Sequence, residues 1–226
     1  ISMELYDYVR IDHFRGFAGY WSVPAGNPTA EHGEWLPAEG EALFKEMEQV
    51  LGKPLPIIAE DLGVITDDVV ELMENFNFPG MKVLQFAFDG QRIDNFYAGT
   101  NQFLPHNCPI RSVMYTGTHD NDTLQGKYSK APDWEKACIA EYLGYWPESF
   151  PRALIQEALK SVSQFAIIPM QDILELGSDA RMNTPSVLGG NWLWRMRSDD
   201  FNESRQTWLK AVSLRYGRNL PENNSN

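Results

Sequence analysis

The feature that most constrains this chain is an alternation. Short apolar runs, Tyr8–His13, Leu55–Asp61, Met81–Asp89, Ser112–His119 and Gln164–Asp172, are separated by segments of helical period. Each run is too short for a helix and lacks the polar alternation of a half-exposed hairpin strand, which predicts βα units and parallel strands covered on both faces. The intervening helices are predicted over Glu41–Leu51, Thr66–Phe76, Asp133–Leu143, Arg152–Val162 and Glu203–Tyr216. Thr66 and Asp133 are read as their caps, and Gly52, Gly144 and Gly217 as their stops. Long connections rich in Gly, Pro and aromatics, Gly16–Gly40, Gly90–Ile110 and Ser178–Asp200, join these elements, and no linker or internal repeat is visible. Five such units are too few for a closed eight-stranded α/β barrel, and the loops too elaborate for a minimal doubly wound sheet. The expected class is α/β: the C-terminal part, about five βα units, of a (β/α)8 TIM-type barrel with long βα-loop insertions. Residues 1–226 are read as one partial catalytic domain. The start at Ile1 suggests a fragment whose N-terminal half of the barrel is missing.

Composition narrows the ligand classes. A net charge of −12 without a Lys/Arg cluster argues against nucleic acid. The longest apolar stretches, Ser163–Met170 and Val83–Phe88, fall far short of the roughly 18–20 residues that cross a bilayer, so no membrane is expected. Charged residues within the first twenty, among them Asp7, Arg10 and Arg15, leave no room for a signal peptide. With only two cysteines, Cys108 and Cys138, a reducing compartment is expected, the cytoplasm or alternatively the plastid stroma. The sequons at Asn121, Asn202 and Asn223 are then read as chance.

Acids stand where the strands end. Asp12, Glu60 with Asp61, His119 with Asp120, and Gln171 with Asp172 close four of the runs. A single Asp after a strand is more often a cap or turn residue than a catalyst. In a barrel, however, C-terminal strand ends from different βα units converge on one pocket. Arg10 and Asp12, two apart on a strand, project from the same face, and a neighbouring cation keeps a carboxylate ionised. Apolar residues precede Glu60, a setting that favours a protonated carboxyl. One ionised and one protonated carboxyl about 5–5.5 Å apart is the arrangement that breaks a glycosidic bond with retention. Asp120–Gly126 fails as an EF-hand loop, and no phosphate loop, dinucleotide fingerprint or zinc spacing is present.

The segments Arg10-Ile-Asp-His-Phe-Arg-Gly16, Ala59-Glu-Asp-Leu-Gly63, Pro79-Gly-Met-Lys-Val-Leu-Gln-Phe-Ala-Phe88, Tyr115-Thr-Gly-Thr-His-Asp-Asn-Asp122 and Ala180-Arg-Met-Asn-Thr-Pro185 with Asn191-Trp-Leu-Trp-Arg195 together resemble the 4-α-glucanotransferases, or amylomaltases, relatives of the α-amylases. The resemblance implies a nucleophile at Asp12, an acid/base at Glu60 and a transition-state carboxylate at Asp120. It implies substrate contacts at Arg10, His119, Asn183 and Phe86. It further implies α-1,4-glucans and maltooligosaccharides as substrates, no metal, and no cofactor. Ser186 departs from the Gly of many relatives. Phe14, Trp21, Phe86 and Trp192 are candidate water-excluding walls, although for each one plain core packing is the commoner role. An α-amylase-type retaining hydrolase and a non-catalytic carbohydrate-binding half-barrel remain the alternatives, and the isolated chain is expected to have little activity.

Overall fold

The computed structural model describes residues 2–88 and 99–218. Ile1, Asp89, residues 90–98 of the predicted Gly90–Ile110 connection, and the Asn223 sequon lie outside the described residues. The fold is α/β, and the described chain divides between Met81 and Lys82 into two compact units.

The first unit opens with the short helix α1 (Ser2–Leu5) and strand β1 (Val9–Ile11). A 3-10 turn over Phe14–Phe17 leads into β2 (Gly19–Ser22) and β3 (Glu34–Pro37), followed by helix α2 (Gly40–Leu51), strand β4 (Ile57–Ala59) and helix α3 (Asp67–Asn75). Strands β1 and β4 are parallel, in the register Val9 with Ile57, Arg10 with Ile58 and Ile11 with Ala59. Strands β2 and β3 are antiparallel, with Trp21 opposite Trp35. This hairpin corrects the expectation of βα units without hairpins: it lies inside the Gly16–Gly40 connection, whose aromatics pair with each other rather than packing as a loop.

Aromatic rings fill the core of the first unit. Phe14 stacks on Phe44 at 5.6 Å, and Phe44 meets Phe78 edge-on at 5.1 Å, with Phe76, Ile57, Val69 and Leu72 around them. Offset and edge-on pairs satisfy the ring quadrupoles while burying large apolar area. Helix α2 opens on Gly40, a position that needs glycine because a Cβ there would stand 2.2 Å from the Phe17 carbonyl oxygen.

The second unit carries a three-stranded sheet in the order β5 (Gly80–Val83, the strand that spans the division), β6 (Ser112–Tyr115) and β7 (Phe165–Ile167). Strands β6 and β7 are parallel, with Met114 level with Ala166. Its helices are α4 (Leu124–Lys130), α5 (Asp133–Leu143), α6 (Phe150–Lys160), α7 (Met170–Ile173) and α8 (Glu203–Arg215). Leu84, Leu104, Met114, Leu124, Ile139, Leu154 and Ile155 form the fully buried part of its core.

Burial on both faces holds for β4, β5 and β6, whereas β1 is half-buried and β7 is half-buried with Ile167 exposed. The strands are shorter than the apolar runs. After Val83 the chain turns into a 3-10 segment over Leu84–Ala87, and after Ile167 Pro169 opens α7. Helix α4 has no counterpart among the predicted elements. Helix α6 begins two residues before the predicted Arg152, because the Ser149 hydroxyl accepts from the Arg152 backbone N–H at 3.2 Å and Pro151 is tolerated in the first turn. Pro132, not Asp133, occupies the cap position of α5, and Asp133 is its first helical residue. Gly144 ends that helix at φ 79°, its N–H returning to the Ala140 and Glu141 carbonyls.

Candidate active site

In the first unit the register of β1 and β4 decides the geometry. Ile11 is level with Ala59, so the next residues, Asp12 and Glu60, follow at corresponding positions on adjacent strand ends. The ladder continues past the strands, with Glu60 N–H donating to Ile11 O at 3.0 Å and Phe14 N–H to Glu60 O at 3.2 Å. His13 sits in the left-handed region at φ 51°, and its N–H donates to Glu60 Oε2 at 2.7 Å. Leu62 N–H donates to Glu60 Oε1 at 2.8 Å. Backbone donors from two segments therefore fix the Glu60 carboxyl, where the sequence suggested an apolar setting. Arg10 and Asp12 pair as their spacing predicts, Nη2 to Oδ1 at 2.6 Å, and Arg10 Nε lies 3.0 Å from Met81 Sδ. Asp12 itself is exposed, with 67% of its side chain accessible.

In the second unit the loop from Thr116 to Thr123 carries His119 and Asp120, and is held along its length. Asn121 Oδ1 accepts from Thr118 N–H and Oγ1 at 2.8 and 2.9 Å, and Gln85 Nε2 donates to Asp122 O at 2.8 Å. The Asp122 carboxylate accepts from Thr123 N–H at 2.8 Å and from Ser178 Oγ at 2.6 Å, and Lys130 Nζ donates to Ser178 Oγ. In the half-buried middle of this loop, Asn183 Nδ2 donates to Asp120 Oδ1 at 2.5 Å, and His119 Nε2 lies 3.2 Å from Asp120 Oδ2. Asn183 N–H also donates to His119 O at 3.1 Å, and the Trp192 ring tilts over His119 at 5.2 Å.

Among the predicted site residues, the first unit brings together Arg10, Asp12 and Glu60, and the second brings together His119, Asp120 and Asn183. Phe86 is half-buried and edge-on to Phe103 at 5.4 Å. Of the candidate walls, Phe14 is fully buried core and is withdrawn from that role. Trp21 is exposed, with its indole donating to Ala30 O and its edge on Trp35, and Trp192 is 53% exposed. Asp172 does not join a shared cluster of exposed acids. Its buried carboxylate accepts from Leu124 N–H and Thr116 Oγ1, both at 2.7 Å, and burial pushes its pKa up to about 6.

One residue had no role in the sequence reading. Arg181 donates through Nη2 to Asp120 O at 2.6 Å and through Nε to Asn183 O at 2.8 Å, tying two candidate site residues to one guanidinium. Its position two before Asn183 in a non-helical segment was the available signal. Ser186, the residue that departs from the expected Gly, lies at φ 64°, the backbone region in which Gly is favoured.

Known proteins resemble this chain in sequence and in fold. The chain is 48% identical over 220 residues to 4-alpha-glucanotransferase of Thermus thermophilus, covering 94% of this chain and 42% of that relative. It is 47% identical over 221 residues to the potato protein named 4-alpha-glucanotransferase, chloroplastic/amyloplastic, covering 96% of this chain and 37% of the relative. The chain thus spans about two fifths of the length of the curated relatives it matches. Among solved structures, the amylomaltase from Streptococcus agalactiae in complex with acarbose superposes with a TM-score of 0.87 at 38% identity, covering 96% of this chain and 43% of that one. The profile described as 4-alpha-glucanotransferase matches residues 1–202, and on these findings together the chain belongs to the 4-alpha-glucanotransferase family.

Proposed function

We propose that the protein moves a segment of a 1,4-α-D-glucan onto the 4-hydroxyl of an acceptor glucan or glucose by a retaining double displacement. The observation that carries this reading is the register of β1 and β4, which sets Asp12 and Glu60 at corresponding ends of adjacent parallel strands. Neighbouring strands lie about 4.8 Å apart. That spacing suits the roughly 5–5.5 Å of a retaining carboxyl pair better than the 6.5–9.5 Å that an inverting pair needs to admit water.

In the first step Asp12 attacks the anomeric carbon, and Glu60 gives its proton to the departing 4-oxygen, leaving a covalent glucosyl-enzyme. In the second, Glu60 takes the proton of the acceptor 4-hydroxyl, whose oxygen displaces Asp12 and restores both carboxyls. The Arg10 guanidinium pairs with Asp12 at 2.6 Å and fixes the direction of the attacking carboxylate. Asp120 is read as the acceptor of hydroxyl hydrogen bonds from the distorted sugar, bonds that strengthen in the transition state. His119 and Asn183 orient that carboxylate and offer further sugar contacts, with Phe86 a less direct one.

The same reading takes the chain as the C-terminal part, about five βα units, of a (β/α)8 barrel whose N-terminal half lies outside it, in keeping with the 42% coverage of the Thermus relative. The isolated chain is then expected to turn over little substrate. Cytoplasm or plastid stroma is its expected compartment; among the described residues no helix is long and apolar enough to cross a membrane.

Incubating the complete natural protein with maltotriose tests the reading. Longer maltodextrins are expected; glucose and maltose alone would make the protein a hydrolase and sink it.

A further inference from the structure

Between the end of α5 and the start of α6 the second unit has a cavity of about 640 Å³, lined by Tyr145, Trp146, Ser149, Arg152, Gln156 and Glu175 among others. A second, of about 320 Å³, adjoins it and shares Ser149 and Glu175. Both volumes fall in the range of small-ligand sites, about 300–1,000 Å³. None of the residues assigned to the reaction lines either one.

Three observations say what such a groove can hold. First, it presents aromatic faces to solvent: Trp146 is 62% and Tyr145 52% exposed, and Trp146 is held edge-on by Phe150 at 5.7 Å. Second, its polar groups are pre-positioned. Glu175 adopts φ 57°, a left-handed conformation that is costly for a residue with a side chain. In that conformation its carboxylate accepts from Ser149 Oγ at 2.6 Å and from Arg152 Nε at 2.7 Å. Arg152 is held from its other side by Trp208, 5.1 Å from the ring centroid, and among the described residues neither of its Nη nitrogens has a hydrogen-bond partner. Third, the charge is wrong for an anion: Glu148 and Glu175 outnumber Arg152 at the lining of a chain whose net charge is −12. A neutral, polyhydroxylated ligand with apolar faces meets all three conditions, since its C–H faces stack on indole and phenol while its hydroxyls meet Arg152, Gln156 and Glu175.

We infer that this groove, whose lining includes none of the residues assigned to the reaction, is a second carbohydrate site that holds a stretch of 1,4-α-glucan chain. The inference rests on the glucan reading above and adds a place where a long substrate is retained without being cleaved.

Affinity electrophoresis of the complete natural protein in gels containing soluble amylose tests it, alongside KM values for amylose and for maltotriose. Trp146→Ala and Tyr145→Ala, both at exposed positions, are each expected to weaken retardation and raise the amylose KM about fivefold, with Trp146→Phe keeping most of the affinity. The maltotriose KM should stay within about twofold, a three-sugar donor gaining little from a second site. Unchanged retardation in both alanine variants would overturn the inference, and so would equal rises in the two KM values. If the unsubstituted protein forms no longer dextrins from maltotriose, the transfer reading fails, while the gel still judges this groove.

Discussion

Asn183 and Asp120, 63 residues apart in sequence, are joined by a hydrogen bond of 2.5 Å from the side-chain amide to Oδ1. Arg181 ties the same two residues through their backbone carbonyls. Asp120 is thus aimed by groups that do no chemistry themselves. Arg181→Ala should lower kcat on maltotriose about 10²-fold by letting Asp120 drift, with a much smaller change in KM. Arg181→Lys, which supplies a single donor point in place of a fork, should recover only part of the rate. A full-rate Arg181→Ala enzyme would remove this residue from the positioning of Asp120.

The carboxyl pair makes a stronger demand. In the complete natural protein, Asp12→Asn and Glu60→Gln should each reduce maltotriose disproportionation by roughly 10³-fold or more, while circular dichroism stays unchanged. Wild-type turnover by either variant would cancel the role given to that residue.

Two glycines separate backbone strain from steric exclusion. At Gly144, φ 79°, nothing lies within 4 Å of an added Cβ, so Gly144→Ala should cost only the left-handed penalty, about 1 kcal/mol. At Gly40 an added Cβ would meet the Phe17 carbonyl oxygen at 2.2 Å and force α2 away from it, so Gly40→Ala should cost more, about 2 kcal/mol or above. Urea unfolding of the two variants would order them; a Gly40→Ala protein as stable as Gly144→Ala would contradict the close packing of α2 on Phe17.

Asp172 predicts a pH dependence of stability. Burial raises its folded-state pKa from 3.8 to about 6, so between those values the folded protein holds a proton that the unfolded chain has released. Its contribution to stability is therefore fully present below about pH 4 and falls as pH rises towards 6, by roughly 3 kcal/mol in all. Comparing urea midpoints of the wild type and Asp172→Asn from pH 4 to pH 7.5 isolates this group, because the other carboxylates cancel. The variant should gain on the wild type across that window, and parallel curves would show that Asp172 does not titrate there.

Much of this was legible in the sequence, for identifiable reasons. Helices α2, α3 and α8 follow from apolar positions bounded by Gly or capping residues and α5 from the Asp and Gly at its ends, and all their bounds lie within one residue of expectation. The Arg10–Asp12 pair follows from the two-residue period of a strand. The hairpin was not legible, because the partners Trp21 and Trp35 are separated by a long segment without the Asn-Gly or Asp-Gly turn that marks tight hairpins. Helix α4 is short and its start is only partly local: Thr123 Oγ1 caps it by accepting the Gly126 N–H at 2.9 Å, while Asp172 accepts the Leu124 N–H across 48 residues. The surroundings of Glu60 were misread because the groups that meet its carboxyl are backbone donors of His13 and Leu62, whose placement depends on a left-handed turn that composition does not reveal.

The β2–β3 hairpin begins and ends at one place, for Gly19 lies opposite Pro37 and Ala38 N–H donates to Ala18 O at 2.9 Å. Its tip, residues 23–33, hangs from a closed stem, so the chain path through Asp12 on one side and α2 on the other does not depend on what the tip contains. That makes the tip a graft point, where a sequence of different length could be exchanged to reshape the surface of the first unit while the carboxyl-bearing strand ends stay in register.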